Sequence, residues 1–161
     1  MNDEMLVVYT KSEEETIELG FKVGKNIFYP SMIALMGELG SGKTTLTRGI
    51  ARGMGIKVRV KSPSFVIINE YQGPHPLYHF DLYRLDDVHQ LEELGYQEYF
   101  YTSCGVVVIE WAEKIIDFLP PEYLRVKIQI EDFTMRKVML TPGENKGYHR
   151  LIENIKSELK C

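Results

Sequence analysis

Residues 31–45 read S-M-I-A-L-M-G-E-L-G-S-G-K-T-T, and this stretch decides the fold of the chain. Within it, residues 37–44 match the phosphate-binding pattern G-x-x-x-x-G-K-[ST] at every fixed position. The pattern is meaningful when a strand precedes it and a helix follows it. Here the apolar run 32–36 precedes the loop, and Leu46 and Ile50 follow it at helical spacing. The stretch therefore predicts a nucleoside triphosphate site between a buried strand and a helix.

Each residue type in this loop has a physical reason to be there. Glycine lets the backbone turn tightly and brings consecutive N–H groups close to phosphate oxygens, while the helix N-terminus adds its partial positive charge. Lys43 would supply a cation to the outer phosphates, and the Thr44 hydroxyl would be a ligand of Mg²⁺. The loop residues predicted to bind the nucleotide are Gly37, Glu38, Leu39, Gly40, Ser41, Gly42, Lys43, Thr44 and Thr45.

The composition is that of an ordinary soluble globular domain. With 161 residues, 44% of them hydrophobic and 26% charged, the chain fits one domain over residues 1–161. No apolar run approaches the roughly 20 residues that span a bilayer, and no export signal opens the chain, so we expect a cytoplasmic protein without membrane contact. Two cysteines without companion ligands predict neither a disulfide framework nor a zinc site. A net charge of −4 predicts no autonomous nucleic-acid binding.

The remaining pattern predicts an α/β fold, a three-layer sandwich of the P-loop NTPase type with a mixed, mostly parallel central sheet and antiparallel hairpin additions. Ser12 and Glu15 spell a capping box, which favours a helix for the residues that follow. Asp86 is expected to cap a later helix that ends at Gly95. The predicted strands are residues 5–9, 32–36, 58–60, 66–71, 77–85, 104–110, 124–130 and 136–141, and the other predicted helices are 43–54 and 146–159.

A carboxylate ends the apolar run V-V-V-I-E at residues 106–110. A buried strand that ends in an acidic residue can bring a carboxylate beside Mg²⁺ at the carboxyl edge of a parallel sheet, where ligands bind. Asp is usual at this place, and Glu110 suits metal coordination as well as general-base work on water. The alternative is a solvated acid where a strand leaves the core. The phosphate loop favours the metal-linked interpretation.

A polar row is predicted on the strand that contains H-F-D-L-Y-R-L. On an extended segment His79, Asp81 and Tyr83 project to one face, which is unusual for a core strand. Asp81 could help to hold Mg²⁺ or position water, and His79 could orient it, although an exposed hairpin would give the same pattern. Trp111, the only tryptophan, directly follows the acidic strand end and could be either a packing anchor or part of the site.

Taken together, four motifs resemble the TsaE family, formerly called YjeE, in content and in order. They are G-E-L-G-S-G-K-T-T at 37–45, K-S-P-S-F at 61–65, H-F-D-L-Y-R-L at 79–85 and V-V-I-E-W-A-E at 107–113. The resemblance implies an ATPase that acts with the TsaD and TsaB proteins in forming the N6-threonylcarbamoyl group on the adenosine next to the anticodon of certain tRNAs. Contact with tRNA would be indirect, through that assembly.

The resemblance also implies roles for single residues. Lys43 would act in catalysis and, with Thr44, hold phosphate and Mg²⁺. Glu110 would complete the metal site, and Asp81 would assist both the metal and the catalysis. Trp111 is expected to matter for turnover or for partner contact.

The resemblance implies three further roles in the surroundings of the nucleotide. Residues 62–65 look like the nucleotide-responsive loop of the family, which usually reads S-P-T-[FY], and Ser64 replaces that threonine here. If Ser64 contacts the outer phosphate or Mg²⁺, ATP would order the loop and ADP would release it, so partner affinity would depend on the nucleotide. Glu13 and Arg136 correspond to positions expected near the nucleotide base.

Two other classes of protein share the loop. A small-molecule kinase needs arginines around the transferring phosphoryl group, and the candidates near the loop, Arg48 and Arg52, lie on the following helix. A GTPase-type switch needs an N-K-x-D element after a late strand, whereas residues 145–148 read N-K-G-Y without the Asp. The sequence therefore favours ATP over GTP and hydrolysis over transfer.

Overall fold

The computed structural model describes residues 5–57, 59–60, 67–101 and 104–160. The predicted nucleotide-responsive loop, with Ser64, lies outside the described residues, as do parts of the predicted strands 58–60 and 66–71. In chain order the elements are β1 Leu6–Thr10, α1 Glu13–Asn26, β2 Ser31–Met36, α2 Lys43–Gly53, β3 Ile68–Tyr71, β4 Leu77–Asp81, α3 His89–Glu93, α4 Tyr96–Phe100, β5 Val106–Glu110, a 3-10 helix Ala112–Phe118, β6 Leu124–Ile130, β7 Arg136–Thr141 and α5 Lys146–Leu159.

A seven-stranded sheet in the order β1-β7-β6-β2-β5-β4-β3 forms the middle layer. The four central strands β6, β2, β5 and β4 are parallel, whereas β7, β1 and β3 join antiparallel at the two margins. The prediction of an α/β fold with a mixed sheet is confirmed. The parallel strands form the centre of that sheet. Ligands of such sheets bind at the carboxyl ends of the parallel strands, so this edge is where a site is expected.

Two apolar clusters cover the two faces of the sheet. Helices α1, α2 and α5 pack on one face through side chains such as Leu46, Ile50 and Leu151. The short helices α3 and α4 and the 3-10 helix pack on the other face, around the fully buried Phe80 and Ile115. This arrangement is the predicted three-layer sandwich. No helix within the described residues is long and apolar enough to cross a bilayer.

Close packing of α1 on α2 fixes the helix that follows the phosphate loop. The two helices approach so closely that a Cβ at Gly24 would lie 2.0 Å from the carbonyl oxygen of Ile50, and one at Gly49 would lie 2.2 Å from that of Ile17. Only glycine permits such an approach of two backbones. The glycines of the two helices therefore fix the position of α2 against α1.

The capping box at the start of α1 forms in a modified way. The Ser12 Oγ accepts a hydrogen bond from the Glu15 N–H at 3.1 Å, as predicted. The Glu15 carboxylate, however, accepts from the N–H of Lys11 at 2.7 Å, one residue before the expected partner. The N–H groups of Lys11 and Glu15 are thus both paired at the start of the helix. The capping box therefore predicted the helix correctly.

Three predictions between residues 77 and 118 were wrong or incomplete. Strand β4 ends at Asp81 rather than residue 85. The Leu82 N–H still donates to the backbone carbonyl oxygen of Glu110, but the Leu85 N–H then closes a turn on the Leu82 carbonyl oxygen. Asp86 does not cap a helix, since α3 begins at His89, whose N–H donates to the Asp87 carboxylate at 3.0 Å. Gly95 ends α3 in the left-handed conformation as predicted, but α4 follows at once, and neither α4 nor the 3-10 helix was predicted.

Candidate nucleotide-binding site

The phosphate loop lies between the carboxyl end of β2 and the N-terminus of α2, and its shape depends on glycine. Gly37, Gly40 and Gly42 have φ angles of 151°, 80° and 109°, a region that other residues rarely adopt. A Cβ at Gly37 would also lie 2.6 Å from the carbonyl oxygen of Ile128 and 2.7 Å from the Ser41 Oγ. The loop backbone therefore takes a curved course, here called the cradle, which favours glycine at all three positions and has no room for a side chain at Gly37.

Lys43, the first residue of α2, lies buried at the mouth of this cradle. Its Nζ donates to the carbonyl oxygens of Gly37 at 2.6 Å and Glu38 at 3.0 Å, and it lies 3.9 Å from the centroid of the Trp111 ring. Burial lowers the pKa of Lys43, while the neighbouring carboxylates, Glu110 foremost, favour its charged form. The side chain is thus a desolvated cation placed beside the loop.

Glu110 ends β5 beside the loop, and three side chains hold its buried carboxylate. The Thr44 hydroxyl donates to it, with the two carboxylate oxygens 2.9 and 3.0 Å from Oγ1. The Nε2 of His79 lies 2.6 Å from Oε2, and the Thr47 Oγ1 lies 3.4 Å from the same oxygen. The hydroxyl of Thr44 and the carboxylate of Glu110 are hard oxygen ligands of the kind that Mg²⁺ prefers, so this donor pair fits that ion.

Asp81 lies next to Glu110, because the two residues are paired in the register of β4 and β5. Burial raises the pKa of Asp81 from its ordinary value of 3.8, and the charge of Glu110 raises it further. A hydrogen bond from the Tyr83 N–H, at 3.1 Å, opposes both effects on that pKa. Asp81 is therefore a half-buried carboxyl group at the carboxyl edge of the sheet, whereas the sequence placed it in the middle of a strand over residues 77–85.

The polar row predicted on β4 is only partly formed. His79 is fully buried against Glu110, so the alternative of an exposed hairpin strand is wrong for this residue. Tyr83 lies beyond the strand in a turn and is exposed, because the chain leaves the sheet after Asp81. The Tyr83 ring nevertheless lies near the site, because its centroid is 5.2 Å from that of the Trp111 ring.

Trp111 joins the end of β5 to the 3-10 helix in the left-handed conformation, with φ of 64°. A bulky residue seldom adopts this conformation, which is found where the surrounding structure imposes it. The indole is half-buried, with Lys43 over its face and Tyr83 beside it. The sequence left open whether Trp111 is a packing anchor or part of the site, and the geometry places it in contact with the site lysine.

The remaining predicted residues differ in burial and in their contact with the loop. Arg136, at the start of β7, donates to the carbonyl oxygens of Ser41 at 3.1 Å and Gly40 at 3.3 Å. Leu39 is exposed, Thr45 is half-buried on the first turn of α2, and Glu13 is exposed on the first turn of α1. The structure thus places Arg136 on the loop itself.

Sequence reasoning missed Thr47 as a member of the site. Its hydroxyl donates to the Lys43 carbonyl oxygen at 2.9 Å and also faces the Glu110 carboxylate. The signal was available, because Thr44 and Thr47 are three residues apart and therefore share a helix face. Within the described residues no three His, Cys, Asp or Glu side chains form a metal cluster, so any metal here would rely on the hydroxyl, Glu110 and the nucleotide.

Comparison with known proteins gives one consistent result. A family model described as Threonylcarbamoyl adenosine biosynthesis protein TsaE matches residues 10–138. The Bacillus subtilis tRNA threonylcarbamoyladenosine biosynthesis protein TsaE is 43% identical over 125 residues, which are 77% of each chain. The protein of the same name from Nostoc is 38% identical over 143 residues, 87% of this chain and 88% of its own.

A solved structure has the same fold over nearly the whole chain. The crystal structure of Bacillus subtilis YdiB is similar with a TM-score of 0.79 and 35% sequence identity, covering 96% of this chain and 95% of that one. The matched residues 10–138 include the glycine loop, Lys43, Thr44 and Glu110. The predicted resemblance is confirmed, and the chain belongs to the TsaE family of threonylcarbamoyladenosine biosynthesis proteins.

Proposed function

We propose that this protein binds and hydrolyses ATP and thereby supports formation of the threonylcarbamoyl group on N6 of adenosine in tRNA, acting with TsaD and TsaB. One observation carries the proposal: Lys43, Thr44 and Glu110 converge on the glycine loop at the carboxyl edge of the parallel strands. A cation, a hydroxyl and a carboxylate around a loop of backbone N–H groups are the groups that phosphoryl chemistry requires.

Each of these residues has a distinct task in ATP binding. The backbone N–H groups of the loop and of the N-terminus of α2 would donate hydrogen bonds to the phosphates, and Lys43 would move from the loop carbonyl oxygens to the outer phosphates. Thr44 and Glu110 would hold Mg²⁺. When bound, that ion would neutralise part of the charge of the triphosphate.

The surroundings of Glu110 and Asp81 prepare both carboxylates for hydrolysis. His79 holds one oxygen of Glu110 at 2.6 Å, so the carboxylate keeps its direction. Asp81 has a raised pKa and lies beside Glu110, which makes its carboxylate a more basic group than an exposed aspartate. We therefore give Asp81 the task of orienting the attacking water and accepting its proton, with Trp111 keeping Lys43 over the site.

The geometry does not favour the two alternative functions. Arg48, a candidate for phosphoryl transfer in a kinase, donates its Nε–H to the carbonyl oxygen of Val60, and Arg52 is exposed near the end of α2. Asn145, the first residue of the incomplete guanine motif, accepts the Gly147 N–H and caps α5. It also lines a cavity with Ser31, at the start of β2 and thus at the opposite end of that strand from the loop.

The proposed partners follow from the family and from the charge of the chain. With a net charge of −4 the protein has little capacity to hold tRNA by itself. We propose that it reaches tRNA only through the TsaD and TsaB assembly, in the cytoplasm. ATP and ADP forms should differ in affinity for that assembly by roughly 5-fold to 150-fold, the usual range of coupling between two sites.

Turnover assays test the proposal directly. ATP and GTP hydrolysis would be measured for the full chain alone and with TsaB and TsaD, with Glu110→Gln as the inactive control. We expect ATP hydrolysis that increases when the partners are present, and little with GTP. Transfer of phosphate to a small acceptor would favour a kinase, and absence of nucleotide binding would refute the proposal.

A further inference from the structure

The Arg136 guanidinium joins the β6–β7 hairpin to the phosphate loop. On one side its Nε–H and Nη2–H donate to the carbonyl oxygens of Ser41 and Gly40, at 3.1 and 3.3 Å. On the other side its Nη1 donates to the carbonyl oxygens of Asp132 and Met135, at 3.1 and 3.2 Å. These four hydrogen bonds use most of the five N–H donors of the side chain. All four acceptors are backbone oxygens, and the residues they connect are as far as 96 positions apart.

The hairpin tip is itself fixed, so it can serve as an anchor. The Asp132 carboxylate accepts hydrogen bonds from the N–H groups of Met135 at 2.8 Å and Thr134 at 2.9 Å. The Glu131 N–H also donates across the turn to the Met135 carbonyl oxygen at 3.0 Å. Arg136 therefore holds the loop against a turn whose own backbone groups are paired.

The contact acts on the direction of peptide groups in the loop. A peptide unit is planar and trans, so its C=O and N–H point in opposite directions. When Arg136 binds the carbonyl oxygen of Ser41, the N–H of Gly42 points away from the guanidinium, to the side where a phosphate would lie. In the adjoining unit, the Ser41 N–H closes a turn on the Glu38 carbonyl oxygen at 3.1 Å. Both units are therefore held by hydrogen bonds within the protein itself.

Two cations therefore hold the loop from different places. Lys43 binds the carbonyl oxygens of Gly37 and Glu38, and these contacts must break when its ammonium moves to a phosphate. Arg136 binds the carbonyl oxygens of Gly40 and Ser41, and nothing in nucleotide binding requires it to leave them. The arginine is suited to keep the loop in its binding shape during the exchange.

We propose that Arg136 is a positioning residue that preorganises the phosphate loop by holding its carbonyl oxygens outward, and that its contribution to affinity is exerted on the phosphates and not on the base. The proposal rests on the nucleotide binding proposed above. It gives Arg136 a role different from the contact near the base that the resemblance implies. Preorganisation of this kind raises affinity because the ligand need not order the loop.

Inorganic tripolyphosphate separates the two roles, because it has the phosphates and lacks the base. Binding of ATP and of tripolyphosphate, both with Mg²⁺, would be measured by calorimetry for the wild type, Arg136→Gln and Arg136→Lys. If the arginine positions the loop, both variants lose about 10-fold to 100-fold in affinity, the range expected for hydrogen bonds from a charged donor. The loss should be the same factor for the two ligands.

The control is Lys137→Gln, which removes an equal charge from the next residue, on the opposite face of β7. It should bind both ligands like the wild type. Loss of ATP affinity alone in the Arg136 variants would assign the residue to the base and overturn the proposal. Full recovery in Arg136→Lys would also overturn it, because charge would then suffice without the planar fork.

Thermal unfolding of the same proteins shows whether the Arg136 variants still fold. We expect Arg136→Lys to unfold within a few degrees of the wild type, since Arg136 is only partly buried. If neither variant folds, the arginine is a requirement of the fold and the proposal is wrong. If the wild type binds neither ligand, the nucleotide function itself fails, and this result is distinct from every outcome that concerns Arg136.

Discussion

The two ends of β2 treat buried polar groups in opposite ways. At its carboxyl end, Lys43, His79 and Glu110 are buried together and bind one another or the loop backbone. At its amino end, the buried Tyr148 hydroxyl accepts a hydrogen bond from the Met32 N–H at 3.0 Å and lies 3.4 Å from the carbonyl oxygen of Met32. One end gathers ionisable groups, and the other pairs a neutral hydroxyl with the backbone.

This difference indicates that the buried polar groups at the carboxyl end of β2 serve chemistry, whereas the buried hydroxyl at its amino end serves stability. Burying charged groups is unfavourable, and their mutual attraction seldom repays the lost hydration. A buried tyrosine that satisfies the backbone, in contrast, adds apolar packing and a hydrogen bond. Substitutions at the loop end should therefore remove activity with little harm to stability, whereas substitutions at the amino end should do the reverse.

The largest effect is expected from Lys43→Ala, which should abolish productive ATP binding or turnover. The outer phosphates would lose their dedicated cation in a site shielded from water. Binding of a fluorescent ATP analogue and phosphate release would measure the effect, and Lys156→Ala on α5 would serve as a control for the loss of one charge. Near-normal turnover by a folded Lys43→Ala protein would refute the site.

The second effect is expected from Glu110→Gln, which should slow hydrolysis by about 100-fold or more and leave ATP binding largely intact. Neutralising a metal-linked or basic carboxylate removes transition-state stabilisation more than ground-state affinity. Glutamine keeps the size of the side chain and can still accept from Thr44 and His79. Single-turnover kinetics together with equilibrium binding would separate the two quantities.

The matched control for that variant is Glu113→Gln on the neighbouring 3-10 helix. Glu113 is exposed and influences Lys43 only through its charge. The Glu113→Gln variant should hydrolyse ATP at nearly the wild-type rate. Equal losses of binding and turnover in Glu110→Gln would indicate a structural acid instead of a catalytic one.

Local sequence signals were sufficient to predict the glycine loop and the acidic end of β5, because each is encoded in a short motif. The glycine loop, Lys43 and Thr44 lie in one stretch, and the apolar run ending in Glu110 is recognisable alone. The mixed α/β sheet followed from the alternation of strand and helix patterns. Even the contact between Thr44 and Glu110, 66 residues apart, was foreseeable because parallel strands end at one edge.

Other features depend on contacts that no local pattern encodes. Strand β4 ends at Asp81 although Leu82 continues the alternation set by Phe80, because the Leu82 and Leu85 side chains are both buried in the layer formed by the short helices. The hydrogen bond from Arg136 to Ser41 joins residues 95 positions apart and uses backbone oxygens, which leave no trace in the sequence. Thr47 was missed for a different reason, since its helix spacing was available and was not used.

The third prediction is that one substitution, at Asp81, changes both turnover and thermal stability. Asp81→Asn should lower turnover about 10-fold or more, as expected for a lost general base, and should slightly raise the thermal stability of the nucleotide-free protein. The pKa of Asp81 is raised by burial and then by Glu110, so ionisation of this carboxyl group opposes folding. Thermal unfolding as a function of pH would measure the gain.

The sign of that pH dependence follows from the raised pKa. The unfavourable contribution of ionised Asp81 is complete above its folded-state pKa and disappears below its ordinary value of 3.8, where both states are protonated. The advantage of Asp81→Asn should therefore be full at neutral pH and vanish in acid. Asp87→Asn is the control of opposite sign, because hydrogen bonds from His89 lower the pKa of Asp87. A loss of stability in Asp81→Asn at pH 7 would contradict the account.

The smallest effect is expected at the amino end, where Tyr148→Phe should destabilise the protein by about 1 kcal/mol and leave ATP affinity unchanged. The variant keeps the buried ring and leaves the Met32 N–H without its acceptor, which is a loss of about this size. Chemical denaturation at pH 7 would measure it. Tyr101→Phe, which changes an exposed ring, should have no effect.

Alkaline pH gives this prediction a sharper form. Burial raises the pKa of Tyr148 to about 12 from 10.0, so the unfolded chain releases this proton first. The favourable contribution of Tyr148 is therefore complete below pH 10 and is lost as the pH rises towards 12. The stability difference between wild type and Tyr148→Phe should shrink over this range, because phenylalanine has no proton to release. A difference that stays constant from pH 9 to pH 12 would mean that the hydroxyl is not held as described, and the contrast between the two ends of β2 would lose its stability side.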